Sequence, residues 1–182
     1  MRHIKIVNSI LLIISLFLIT SCSNNSTMKP EDFKNKEPRL VIEEYLTGNV
    51  KAWGVLQNRS GKVTRQFSAD LDGSWDGKQL ILKEKFNWND GEVQNREWTI
   101  TKIDENNYEG TAGDVVGKAI GYSYGPAFKF EYVLLVPVKG REMKITFDDW
   151  IFKQDDRVAI NRATMTKFGF KVAELTVVFV KD

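Results

Sequence analysis

The chain has 182 residues, 42% hydrophobic and 27% charged with only 4 prolines, a globular composition that excludes disordered, collagen-like and low-complexity classes. The formal net charge is +2, but Arg2 and Lys5 are the only charged side chains among the first 21 residues, so the remainder carries 24 basic against 24 acidic groups; this removes the basic surplus expected of a nucleic-acid binder. The single histidine is His3 and the single cysteine is Cys22, which excludes most usual catalytic bases, zinc sites and disulfide frameworks and predicts a protein with no cofactor, metal or haem.

Residues 1–21 have the shape of a secretory leader: a basic Arg2-His3-Ile4-Lys5, then a mostly apolar run from Ile6 to Thr20 that falls short of a membrane span. Ile19-Thr20-Ser21-Cys22 resembles the lipobox of bacterial lipoproteins, which implies that Cys22 is acylated and becomes the new N-terminus. Each buried methylene of such an anchor contributes about 0.8 kcal/mol. Ser23, where an inner-membrane retention signal would carry Asp, implies by the same resemblance the periplasmic face of the outer membrane. Residues 22–38 are polar, contain Pro30 and Pro38, and read as the lipidated cysteine plus a flexible tether.

Residues 39–182 read as one domain. A short amphipathic helix is expected near Leu40 to Leu46, after which β signals dominate. Turn-forming pairs recur at Ser60-Gly61, Asp76-Gly77, Asp90-Gly91, Asn106-Asn107, Lys139-Gly140, Asp155-Asp156 and Phe168-Gly169. Such pairs between alternating runs mark hairpins, and their wide spacing predicts strands longer than those of a sandwich. The fold class expected is all-β: an antiparallel up-and-down barrel of about eight to ten strands, lipocalin-like, which removes its edges by closing. Gly113, Gly117, Gly121 and Gly125 predict sharply bent strands, because glycine within a strand marks a bend or close backbone approach.

Period-2 alternation sorts the strand faces. Phe128, Phe130, Tyr132, Leu134 and Val136 share one, and Ala173, Leu175, Val177 and Phe179 another. Three charges fall on apolar faces: Arg65 with Val63 and Phe67, Glu84 between Leu82 and Phe86, and Arg96 with Trp98 and Ile100. A buried charge must be paired or serve a function. Two guanidinium groups against one carboxylate would leave a surplus positive charge for a lipid carboxylate, so the candidate ligand-binding set is Arg65, Glu84, Arg96, Trp98, Phe128, Phe130 and Tyr132. The competing reading pairs the arginines internally, with Asp70, Asp149 or another acid. Asp148 and Asp149, adjacent on one strand, point to opposite faces and cannot act as a glycosidase-type pair. Asp72 to Lys83 lacks the terminal glutamate of a calcium loop and reads as a strand end plus hairpin.

Trp53-Gly54, RSGKVTRQF at 59–67, GSWDG at 73–77, DDW at 148–150 and NRATMTKFGFKVAE at 161–174 together resemble the domain-of-unknown-function 3833 family of bacterial lipoproteins, over most of the chain after residue 36. The resemblance implies a lipid-anchored envelope protein and no established activity. The hairpin plan also looks like the calycins, the lipocalins and fatty-acid-binding proteins. Three functions remain open: a barrel binding a fatty acid or similar amphipathic lipid, a filled structural barrel docking on a partner through its loops, and a histidine-independent lipid-modifying enzyme. Because Cys22 is the only thiol, Cys22→Ser is expected to abolish acylation; palmitate labelling of the variant in its bacterial host checks this, and wild-type labelling would refute it.

Overall fold

A computed structural model describes residues 28–138 and 140–182; the leader and Cys22 lie outside the described residues. After a 3-10 turn at Pro30–Phe33 and one turn of helix, α1 (Ile42–Tyr45), ten strands follow: β1 (Gly48–Asn58), β2 (Val63–Trp75), β3 (Gln79–Trp88), β4 (Val93–Lys102), β5 (Asn107–Thr111), β6 (Ala119–Tyr124), β7 (Ala127–Val138), β8 (Arg141–Lys153), β9 (Val158–Lys167) and β10 (Phe170–Lys181). Each strand pairs antiparallel with the next, and β1 pairs with β10 to close the barrel. Trp53 lies opposite Val178 on this seam. The expected up-and-down barrel is therefore the fold.

Six of the seven turn-forming pairs fall in or beside a strand connection; of the seventh, Gly140 does so and Lys139 lies outside the described residues. At the tips, Gly77 (φ 97°) and Gly91 (φ 89°) take the left-handed conformation that makes the tight reversal possible. The glycine-rich stretch behaves differently from the bent strands expected of it. Gly113 and Gly117 lie in the connection between β5 and β6, Gly125 ends β6, and only Gly121 is inside a strand. That connection runs beside β7, where Val116 N–H donates to the Val133 carbonyl (2.8 Å) and Leu135 N–H to that of Asp114 (2.9 Å), extending the wall past the short β5 and β6.

Alternation delivers the inward set. Leu80, Leu82, Trp98, Ile100, Phe128, Phe130, Tyr132, Leu134 and Val177 are buried in a single core. Aromatic rings form its centre, from Tyr108 through Phe128, Phe130 and Tyr132 to Phe147, with successive centroids 5.0–5.6 Å apart. The ring tips press onto glycine backbone: a Cβ at Gly54 would stand 2.4 Å from the Phe67 ring, and one at Gly110 2.4 Å from Phe130.

One end of the barrel is plugged by the chain's own N-terminal segment. Leu40, Ile42, Tyr45 and Leu46 are buried in it. The Leu40 N–H donates to the Gly125 carbonyl (2.8 Å), Ser123 donates to the Leu40 carbonyl (3.0 Å), and the Tyr45 hydroxyl to that of Arg157 (2.9 Å). Lys181 donates to the carbonyls of Glu44, Tyr45 and Thr47, satisfying the orphan acceptors at the end of α1. The chain is also attached earlier than the tether reading to residue 38 implies. Phe33, the one aromatic in that polar run, packs against Trp150 and Phe152 on the outer wall at 6.0 and 5.5 Å.

Gly54→Ala is expected to lower stability by about 1–3 kcal/mol, because the added carbon must displace a packed ring. Phe67→Leu in the same chain should recover part of the loss, which a double-mutant cycle in urea would read.

Candidate functional site

The lumen combines this aromatic core with charges that alternation turns inward. Glu84 on β3 and Arg96 on β4 are directly paired across the sheet, and their side chains keep only 12% and 14% of their surface. Arg96 directs Nε and Nη2 at Asp114, in the β5–β6 connection, with a shortest contact of 2.7 Å. Its Nη1 is left 3.8 Å from Glu84 Oε2, beyond hydrogen-bonding distance. That oxygen is buried and has no hydrogen-bond partner. Across the lumen, Asp149 on β8 accepts from the Tyr132 hydroxyl (2.8 Å) and from the Asn161 amide; Asn161 is buried on β9.

These environments move the protons. Burial pushes the Glu84 carboxyl up to about 7, with Arg96 pulling the other way and Asp149 adding to the rise. Burial likewise pushes Asp149 up to about 6, against the hydrogen bonds from Tyr132 and Asn161. The Tyr132 phenol is held well above its ordinary value by burial and by the adjacent Asp149. Two carboxyl groups in an apolar barrel thus hold their protons toward neutrality, whereas in the unfolded chain both ionise near pH 4.

The residues read from sequence divide into two groups. Glu84, Arg96, Trp98, Phe128, Phe130 and Tyr132 all line one internal cavity of about 100 Å³. Arg65 does not belong with them. Its side chain lies at the end of the barrel opposite α1, 4.0 Å over the Trp88 ring, and pairs with Asp90 at 2.7 Å and Glu92 at 2.8 Å from the β3–β4 turn. Alternation gives a residue's face but not its height along the barrel, and at the rim an inward side chain still reaches the turn acids. The surplus positive charge inferred from two arginines is therefore absent from the lumen, where Arg96 faces Glu84, Asp114 and Asp149. Asp149 was detectable by the same alternation, since it lines up with Ile145, Phe147 and Ile151. Asp114 sits in an irregular connection and carries no periodic signal. A shallow depression of about 570 Å³ lies outside the barrel across β2–β4, lined by Asp70, Asp72, Lys83 and Lys85; it is open to solvent and does not enclose a ligand.

The chain matches the family described as "Protein of unknown function (DUF3833)" over residues 16–181. It belongs to that family. No curated protein matches. Among solved structures, it is similar to the S-type phycobiliprotein lyase CPES from Guillardia theta, with 11% identity and a TM-score of 0.57 over 77% of this chain and 90% of that one. It is also similar to a protein of unknown function of the DUF3598 family from Nostoc punctiforme PCC 73102, with 16% identity and a TM-score of 0.60 over 81% of this chain and 51% of that one. At these identities the likeness is one of fold alone.

Because the folded state keeps protons on Glu84 and Asp149 that the unfolded state has released, stability falls as pH rises from about 4 through about 7. Glu84 alone contributes a loss on the order of 3 kcal/mol across its own window. Glu84→Gln should flatten the pH dependence, most visibly as a higher Tm than wild type at about pH 8. Equal slopes for the two proteins in calorimetry would contradict the assignment.

Proposed function

We propose that this DUF3833 protein is an envelope lipoprotein whose barrel binds a small amphipathic lipid, with a fatty acid or monoacylglycerol as the fitting class. The observation that carries the reading is the gap between Arg96 Nη1 and Glu84 Oε2: a donor and an acceptor face each other 3.8 Å apart, and the acceptor is buried without a partner. Leaving a buried polar atom unsatisfied costs about 1–3 kcal/mol. A carboxylic acid or hydroxyl head resolves both sides, accepting from Nη1 while donating to Oε2. The raised proton affinity of Glu84 lets the pair take either a neutral or an ionised head with one proton shared between them.

The apolar part of the ligand would lie among Trp98, Phe130 and the residues toward the open end. The cavity of about 100 Å³ is smaller than the 300–1,000 Å³ typical of ligand pockets, so it accepts a head group and the first few carbons. A full chain requires the β5–β6 connection to yield. The Arg96–Asp114 pair ties that connection to β4, beside its backbone hydrogen bonds to β7, and a head group competing for Arg96 loosens this tie. The anchor at Cys22 would place the barrel at the periplasmic face of the outer membrane, where acyl lipids are abundant.

Lipid extraction and native mass spectrometry of protein taken from its own membranes should find a stoichiometric amphiphile. Glu84→Gln and Arg96→Met should each weaken binding of a fluorescent fatty acid and a fluorescent monoacylglycerol by roughly ten-fold, the worth of one good hydrogen bond to a charged group. An empty protein that binds neither probe would refute lipid binding in favour of a filled structural barrel.

A further inference from the structure

The open end of the barrel carries a second feature, independent of the lumen. Among the described residues, six of the eleven exposed large apolar side chains lie at this end, Phe168 in the β9–β10 turn and Val63, Val93, Val138, Phe170 and Val172 at or near strand ends. Phe168 and Phe170, at the β9–β10 hairpin, are 88% and 72% exposed. Phe168 also stands in the left-handed region at φ 51°, a conformation that favours glycine or asparagine and costs a bulky residue energy. The hairpin thus holds an aromatic ring out in solvent against both hydration and backbone preference, with no compensating intramolecular burial.

The charges beside this ring are mainly cationic. Lys167 lies 5.2 Å from the Phe168 ring centroid, while Lys171, which follows Phe170, pairs with Glu174 at 3.0 Å. Arg59 and Lys62 on the adjacent β1–β2 turn and Arg141 at the β7–β8 turn are exposed. The acids of the β3–β4 turn, Asp90 and Glu92, both bond Arg65. Exposed aromatics flanked by Lys167, Arg59, Lys62 and Arg141 fit the boundary of an anionic bilayer, where rings enter the acyl region and cations meet phosphate. We propose that the open end, led by Phe168 and Phe170, docks on an anionic lipid surface. The contact is separate from the anchor at Cys22, because the tether joins the barrel at the opposite, plugged end, and it turns the mouth of the lumen toward lipid.

The test is vesicle cosedimentation of the chain starting at Ser23, which cannot be acylated. All of the packed core lies between Leu40 and Phe179, so this chain keeps every element of the barrel. Binding is expected to phosphatidylglycerol-containing vesicles and not to pure phosphatidylcholine, and it should weaken with salt. The Phe168→Ser/Phe170→Ser double variant should lose at least about ten-fold in affinity, and Lys62→Glu/Lys167→Glu should lose a similar factor, since each cation near such a surface strengthens binding by roughly five-fold. Phe168→Asn, relieved of its backbone strain, should bind more weakly while melting a few degrees higher, which keeps the test open should the double variant fail to fold. Failure of the wild type to bind phosphatidylglycerol vesicles, undiminished binding by the variants, or a dimer in solution that the Phe168→Asn change dissociates would each overturn the proposal. None of these readouts depends on ligand in the lumen, so lipid docking and lipid binding stand or fall separately.

Discussion

A ten-strand barrel encloses more space than one inward row of aliphatic side chains can fill, and this geometry governs what the sequence must place on each strand. The solution here is aromatic. Phe128, Phe130 and Tyr132 on β7 join Phe67 on β2, Trp98 on β4 and Phe147 on β8 in one core. Gly54 and Gly110 give the rings the extra depth they need by removing the Cβ beneath them. The same glycines would weaken isolated strands, so here the demands of packing outweigh local propensity. The plug formed by Leu40 to Leu46 is a further response to the same excess of space, closing with side chains an end that the sheet leaves open.

Against such a core the polar cluster is costly. Its members are arranged so that most of that cost is met: Asp149 has two donors, and Arg96 has a two-pronged carboxylate partner in Asp114. Glu84 is the exception, since its nearest cation is too distant to bond. Replacing a buried ion pair with apolar residues of similar volume is often neutral or stabilising, and the mismatch at Glu84 is the observation on which the proposed lipid site rests. Tyr132 joins the two halves of the design, stacking on Phe147 at 5.0 Å while its hydroxyl serves Asp149.

Architecture was largely legible in the amino-acid order because β structure writes itself in period 2 and its turns demand particular residues. The Asp-Gly pairs at 76–77 and 90–91 and the alternation through 128–136 are examples. Position along the barrel axis leaves no such mark. Arg65 and Arg96 look equivalent in sequence, each flanked by inward apolar residues, yet one reaches the acids of a rim turn and the other is enclosed. Asp149 enters the sequence reading only as an internal partner for the arginines, because beside Asp148, which faces outward to Lys129, it is weighed as half of a carboxylate pair. Asp114 was beyond reach, since an irregular segment is positioned by the strand it lies along, in this case β7. Phe33 teaches a similar lesson: a lone aromatic in a polar run is a contact waiting for a wall, and that wall is formed more than a hundred residues later.

The seam between β1 and β10 has a consequence for how the protein comes into being. These strands lie at opposite ends of the domain, and nine residue pairs join them. A chain made from its N-terminus therefore carries β1 as an open edge throughout synthesis, and no intermediate short of β10 is a closed sheet. Contacts of such long sequence separation form late and slowly. Loss of the final strand would not yield a nine-strand version of the same molecule. It would bare two edges, β1 and β9, together with the apolar row that Leu175, Val177 and Phe179 now complete, and exposed edges of that kind recruit other chains. Termination a dozen residues early is thus a route to aggregation, and quality control of this protein rests on whether its last strand has arrived.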